Sequence, residues 1–235
     1  MTTHHTLESI DAGGAVREAA EQAGAMRSDR RELLRRGALV GGGAVAATAF
    51  FGEILSPAQA AIVNGKRSAG NDVAVLKYAL LLEQLESAFY LQAVRNIKFS
   101  VPEHEFFARV VAQHEKDHVN TLATILGRKA AAPPTFAFGA AVTDEKMFLA
   151  TSQILEDTGV AAYAGQGGNL KARSVVIAAL SIHSVEARHA AWVRYLLGGF
   201  APGSGDKAPA PVAFDAPLTE RKVLAAVGST GFIAG

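Results

Sequence analysis

Two segments of this chain carry the same ionisable residues in the same order, and that repeat limits the fold more than any other feature. The stretch LLEQLESAFY (81–90) aligns with QILEDTGVAAY (153–163), so that Glu83 falls on Glu156 and Tyr90 on Tyr163. In both, the tyrosine follows the glutamate by seven residues, two turns further along the same helix face. The stretch HEKDHVNTLATILG (114–127) aligns with VEARHAAWVRYLLG (185–198). Glu115 then meets Glu186, His118 meets His189, and both segments close on Leu-Gly. The order Glu, Tyr, Glu-x-x-His, Leu-Gly therefore occurs twice, as expected of an internal duplication about a pseudo-twofold axis.

The segments between these residues read as helices. Residues 72–96 lack Gly and Pro and place Leu76, Leu80, Leu85 and Phe89 at helical spacing. A capping box from Ser100 to Glu103, with Pro102 at the start, opens a second helix that stops at Gly127. Thr143 is the expected cap of a third helix, with Asp144 and Glu145 in its first turn, and the helix ends in GQGG (165–168). Asn169 is the expected cap of a fourth, running to Gly198, and a short helix is predicted at 218–227. No alternating pattern supports strands, so the class is all-α. The links within each pair are short and predict two antiparallel hairpins. The link between the pairs is about 16 residues, and at roughly 3.3 Å per residue it can run the length of a helix. The predicted architecture is an antiparallel four-helix bundle with one long crossover between helices two and three.

On a helix, residues i and i+3 share a face, so each Glu-x-x-His presents a carboxylate beside an imidazole. Two such helices and two single glutamates bring together four carboxylates and two imidazoles, whose charge balances two divalent cations. Without cations, buried carboxylates would repel and some would stay protonated. The chain has no cysteine, which excludes thiolate ligands and disulfides and leaves His and carboxylate donors suited to iron, manganese or zinc. A net charge of +1 and the lack of a basic patch with aromatics argue against nucleic-acid binding.

This pattern resembles the ferritin-like superfamily of di-iron or di-manganese carboxylate proteins over residues 70–200, with most similarity to exported ferritin-like proteins of the desiccation-related type. The resemblance implies two iron or manganese ions held by Glu83, Glu115, His118, Glu156, Glu186 and His189. Tyr90 and Tyr163 would hydrogen-bond the ligating carboxylates. Glu86, also near the inward face, is the alternative to Glu83; the repeat favours Glu83, because the counterpart of Glu86 is Gly159, and Glu86 is kept as a lesser candidate or extra ligand. His114 and His183 have no repeat partners and are expected at the surface or beyond the ligands. His104, His4 and His5 are expected to be solvated, and Trp192 to be core. The implied function is redox chemistry with dioxygen or peroxide, either ferrous oxidation or peroxide removal. The competing reading is a non-catalytic metal-binding or structural protein of envelope stress or desiccation. A homodimer fits either reading.

The first sixty residues form a region of their own. Arg30, Arg31, Arg35 and Arg36 precede an uncharged Ala/Gly/Val run from Gly37 to Phe51, too short to span a bilayer as a stable helix, and then an A-x-A site at Ala58 to Ala60. RRELLR resembles a twin-arginine motif, with Leu33 where Phe is preferred. This predicts recognition by the twin-arginine export machinery, cleavage after Ala60 and a location in the periplasm, cell envelope or extracellular space. Residues 1–29 are expected to be disordered. The remainder divides into a four-helix domain at 61–200 and a Pro/Gly-rich tail at 201–235.

Overall fold

Helix α1 (Ala69–Asn96) begins where the Ser68 side chain accepts the Asn71 N–H. It is the first element of a computed structural model that describes residues 62–201 and 203–234. The proposed signal region at 1–60 lies outside the described residues. Helices α2 (Pro102–Leu126), α3 (Glu145–Gln166) and α4 (Arg173–Arg194) follow, and a short α5 (Glu220–Thr230) closes the chain. Helix α1 packs mainly on α2 and α3 mainly on α4, with further contacts between α1 and α3 and between α2 and α4. Residues 127–144 join the two hairpins. This is the expected all-α, ferritin-like bundle with its crossover. Among the described residues no helix is long and apolar enough to cross a membrane.

The helix starts differ from expectation in an informative way. The box of Ser100 and Glu103 does not form: Val101 is the N-cap of α2 and has no side-chain bond. Ser100 donates instead, through its N–H at 2.8 Å and its hydroxyl at 2.6 Å, to the carboxylate of Glu145 in the first turn of α3. The Val101 N–H also points at Glu145, at 3.3 Å. Asn169 does not cap α4 either, because its side-chain oxygen Oδ1 accepts the Gly65 N–H at 2.7 Å. The free N–H groups before α4, on Lys171 and Ala172, go to the two oxygens of Asp72 in α1, at 2.7 and 3.0 Å. Asp72 precedes Glu83 by eleven residues, and Glu145 precedes Glu156 by eleven. The duplication thus extends to a reciprocal cap, in which the first helix of each hairpin supplies the acid for the second helix of the other. Asp144 rather than Thr143 caps α3, accepting the Met147 N–H at 2.8 Å. His104, expected to be solvated, is held at 2.7 Å from Glu145. Burial opposes the charge on Glu145, but the Ser100, His104 and Val101 contacts lower it to about 2.

One core unites the bundle, the crossover and the tail. Phe89, Phe107 and Phe148 are fully buried and meet at ring distances of 5.5 to 6.3 Å, with Tyr90 among them. Trp192 lies half-buried, 5.3 Å edge-on from Phe107. The crossover lays Phe138 on Phe89 at 5.5 Å, and the chain end pairs with it through Ala137 N–H to Phe232 O at 2.8 Å. Helix α5 starts and ends slightly later than the predicted 218–227 and buries Val223, Leu224 and Val227. Its approach requires Gly165, where a Cβ would stand 1.8 Å from the Leu218 carbonyl oxygen. Helix α4 stops at Arg194 rather than Gly198 and passes into a wide π-helical turn, Tyr195–Gly199.

Candidate metal centre

Each of the four long helices contributes to one buried cluster. Glu83 comes from α1, Glu115 and His118 from α2, Glu156 from α3, and Glu186 and His189 from α4. The side chains of Glu83, Glu115, Glu156 and Glu186 are almost completely removed from solvent. His118 Nδ1 lies 3.2 Å from Glu83 Oε2, 3.2 Å from Glu115 Oε2 and 3.0 Å from Glu186 Oε1. His189 Nδ1 lies 3.1 Å from Glu115 Oε1, 3.3 Å from Glu156 Oε2 and 3.8 Å from Glu186 Oε2. Two groups result, each with its donor atoms within 4.8 Å of one another: Glu83, Glu115, His118 and Glu186, and Glu115, Glu156, Glu186 and His189. Glu115 and Glu186 belong to both.

These contacts are close without being hydrogen bonds throughout. Glu115 Oε1, Glu156 Oε2, both Glu186 oxygens and His189 Nδ1 are buried with no hydrogen-bond partner. Their separations suit hydrogen bonds and their directions do not. Buried polar atoms normally find a partner. Oxygen and nitrogen lone pairs converging from four helices are compatible with a bound metal ion. A single Glu from each of two helices, with Glu-x-x-His from the other two, is the donor set of ferritin-like dimetal bundles.

The close approach of these groups shifts the balance of protons among them. Burial disfavours charge on His118, but its contacts with Glu115, Glu186 and Glu83 push it up to about 12. His189 is likewise pushed to about 12 against the cost of burial, by Glu115, Glu156 and Glu186. Burial would raise Glu186, and the two imidazoles outweigh it, lowering the carboxyl to about 2. Burial lifts Glu156 to about 7 despite His189. It also raises Glu115 well above the usual carboxylate range, with the charges of Glu186 and Glu83 adding to the effect. Metal binding would displace protons from these imidazoles and carboxyls.

The tyrosines tie the halves together crosswise. Tyr163 of α3 donates to Glu83 Oε1 of α1 at 2.6 Å, and Tyr90 of α1 donates to Glu156 Oε1 of α3. Each fixes one carboxylate oxygen and leaves the other aimed at the cluster.

Glu86 is buried beside the cluster but stands in neither group of donors. It occupies room left by Gly159, where an added Cβ would lie 3.5 Å from Glu86 Oε1 and 3.4 Å from Glu186 Oε2. The two residues, with Leu82, Leu85, Leu155, Thr158 and Val227, line a cavity of about 10 Å³, room for about one water. The burial and the surrounding charges of Glu186, Glu156, Glu115 and Glu83 keep Glu86 protonated well above the usual range.

His114, expected at the surface or beyond the ligands, is both exposed and attached. Its Nδ1 lies 2.9 Å from Nε2 of His189. The sequence signal is its position four residues before His118, which puts it on nearly the same side of α2. His183 is half-buried, and its Nε2 has no hydrogen-bond partner.

The fold and the cluster define a helical bundle built around a carboxylate–imidazole site compatible with metal binding. The model of the ferritin-like domain family matches residues 71–199, and the chain belongs to that family. No curated protein matches the chain.

Proposed function

We propose that this chain is an exported ferritin-like protein whose cluster holds two iron or manganese ions and reacts with dioxygen or peroxide. The observation that carries the reading is the sharing of Glu115 and Glu186 between two otherwise separate donor groups. Two shared carboxylates serve a pair of ions, whereas a single ion would need only one of the groups. Glu83 and His118 would complete one position, and Glu156 and His189 the other. The ions, when bound, supply the one-electron redox steps that no side chain here provides. The protein holds the donors in place through Tyr90 and Tyr163, and it excludes bulk water with the aromatic core around Phe89, Phe107 and Phe148.

Metal analysis of the purified protein should give close to two ions per chain. Ferrous iron added anaerobically to metal-free protein, then exposed to air or peroxide, should be oxidised faster than in buffer. Metal binding without consumption of either oxidant, with iron and with manganese, would leave the non-catalytic stress or desiccation reading in place. No metal binding at all would remove both the site and the chemistry. Export by the twin-arginine machinery rests on the residue pattern at 30–60. Arg30→Lys with Arg31→Lys should retain precursor in the cytoplasm, and normal export of that variant would end the assignment of the route.

A further inference from the structure

The two halves of the cluster differ in how their histidines are held. His189 is 2 % exposed and its Nε2 lies 2.9 Å from Nδ1 of His114, whereas the His118 side chain is 12 % exposed. The His118 side chain meets Glu83, Glu115 and Glu186 through Nδ1, and among the described residues its Nε2 has no hydrogen-bond partner. The position that answers to His114 in the repeat is Val185, which has no donor or acceptor in its side chain. The difference is therefore written into the duplicated sequence at one residue.

We propose that His114 is a positioning residue for His189, and that it makes the His189 half the tighter of two unequal metal positions. A ligating histidine offers one ring nitrogen as a lone pair and keeps its proton on the other. His189 turns Nδ1 toward Glu115 and Glu156, so with a metal ion on Nδ1 the remaining proton would sit on Nε2 and be donated to His114 Nδ1. That bond selects the tautomer and fixes the ring plane. His114 is itself exposed, so it acts through this contact and takes no part in the core. Losing a partner of this kind typically weakens metal affinity about 10- to 100-fold. His118 has no such partner, and it is the half nearer solvent, so its ion should bind more weakly and exchange faster.

The inference rests on the two-ion reading, and the test separates the two. Cobalt(II) is titrated into metal-free full-length protein, followed by calorimetry and by visible absorption. The wild type should show two binding steps of unequal affinity. His114→Ala should weaken the tighter step by about 10- to 100-fold, leave the other unchanged, and leave the melting point of the metal-free protein unchanged. His114→Asn, whose side-chain oxygen can accept at the position of Nδ1, should restore the tighter step, and Val185→Ala should change neither step. Two equal steps in the wild type, or unaltered steps in His114→Ala, would overturn the proposal. So would equal weakening of both steps, or failure of His114→Asn to restore the tighter one. If the wild type binds no cobalt, the dimetal reading fails first, and the proposal with it.

Discussion

The two hairpins agree at every donor of the cluster and disagree beside it. Helices α1 and α2 contribute Glu83, Glu115 and His118, and helices α3 and α4 contribute Glu156, Glu186 and His189 in the same order. The neighbours diverge: Glu86 faces the gap left by Gly159, and His114 has Val185 for its counterpart. On the two-ion reading, the difference marks which parts of the repeat are tied to the proposed pair of sites and which are free to make its members unequal. Donor atoms must converge from both halves, so a change at one would leave buried charge without a partner. Residues one layer out can change singly, and each such change alters one half.

The largest effect expected from probing the halves comes from the donors they share. Glu115→Ala or Glu186→Ala should empty both positions, whereas Glu83→Ala or Glu156→Ala should lose about one ion, and Glu86→Ala should keep both. Loss of metal removes a ligand that binds only the folded chain, about 4 kcal/mol at a thousandfold excess over the dissociation constant. Metal content and melting temperature, measured together, check this. If Glu86→Ala empties the site while Glu83→Ala does not, the register of α1 in the cluster is wrong.

A smaller effect, graded with pH, belongs to the metal-free protein. His118 and His189, pushed up to about 12 from 6.5, and Glu156, lifted to about 7 from 4.5, hold protons that the unfolded chain releases. The unfolded state then binds fewer protons, so stability falls as pH rises. The histidine contribution is complete below about 6.5 and is lost progressively toward 12. The penalty at Glu156 grows between 4.5 and about 7. Glu186 acts in the opposite sense, but only between about 2 and 4.5. Metal-bound protein should show the reverse trend, because protons compete for the donors. The melting-point gap between the two forms should widen from pH 6 to 9 and narrow toward pH 5. A constant gap would mean that the cluster does not exchange protons for metal.

The smallest effect is also the most symmetrical. Asp72→Ala and Glu145→Ala each remove the acid that the opposite hairpin's helix start depends on, and each should cost about 1 kcal/mol by thermal or denaturant unfolding. Similar losses would show that the duplicated caps remain equivalent while His114 and Glu86 have diverged. Glu145 also holds His104, so a larger loss at that position would measure the extra contact.

The division between sequence and structure follows the range of each interaction. Spacing within one helix is a local property, and it was enough to pair Glu115 with His118 and Glu186 with His189, to place Tyr90 and Tyr163 on the faces of Glu83 and Glu156, and to require two hairpins. Gly127 could be read as a stop because a φ of 55° suits glycine. Contacts between helices depend on their relative height and rotation, which no spacing states. Only the tertiary structure decided that Asp72 and Glu145, rather than Asn169 and the pair Ser100 and Glu103, serve the starts of α4 and α2. A free N–H accepts whichever carboxylate the packing brings within reach. Only the tertiary structure brought His114 to His189, 75 residues away, because the antiparallel register of α2 and α4 sets that meeting. The sequence by itself determined which groups would form the cluster, and the packing of the helices determined what surrounds each one.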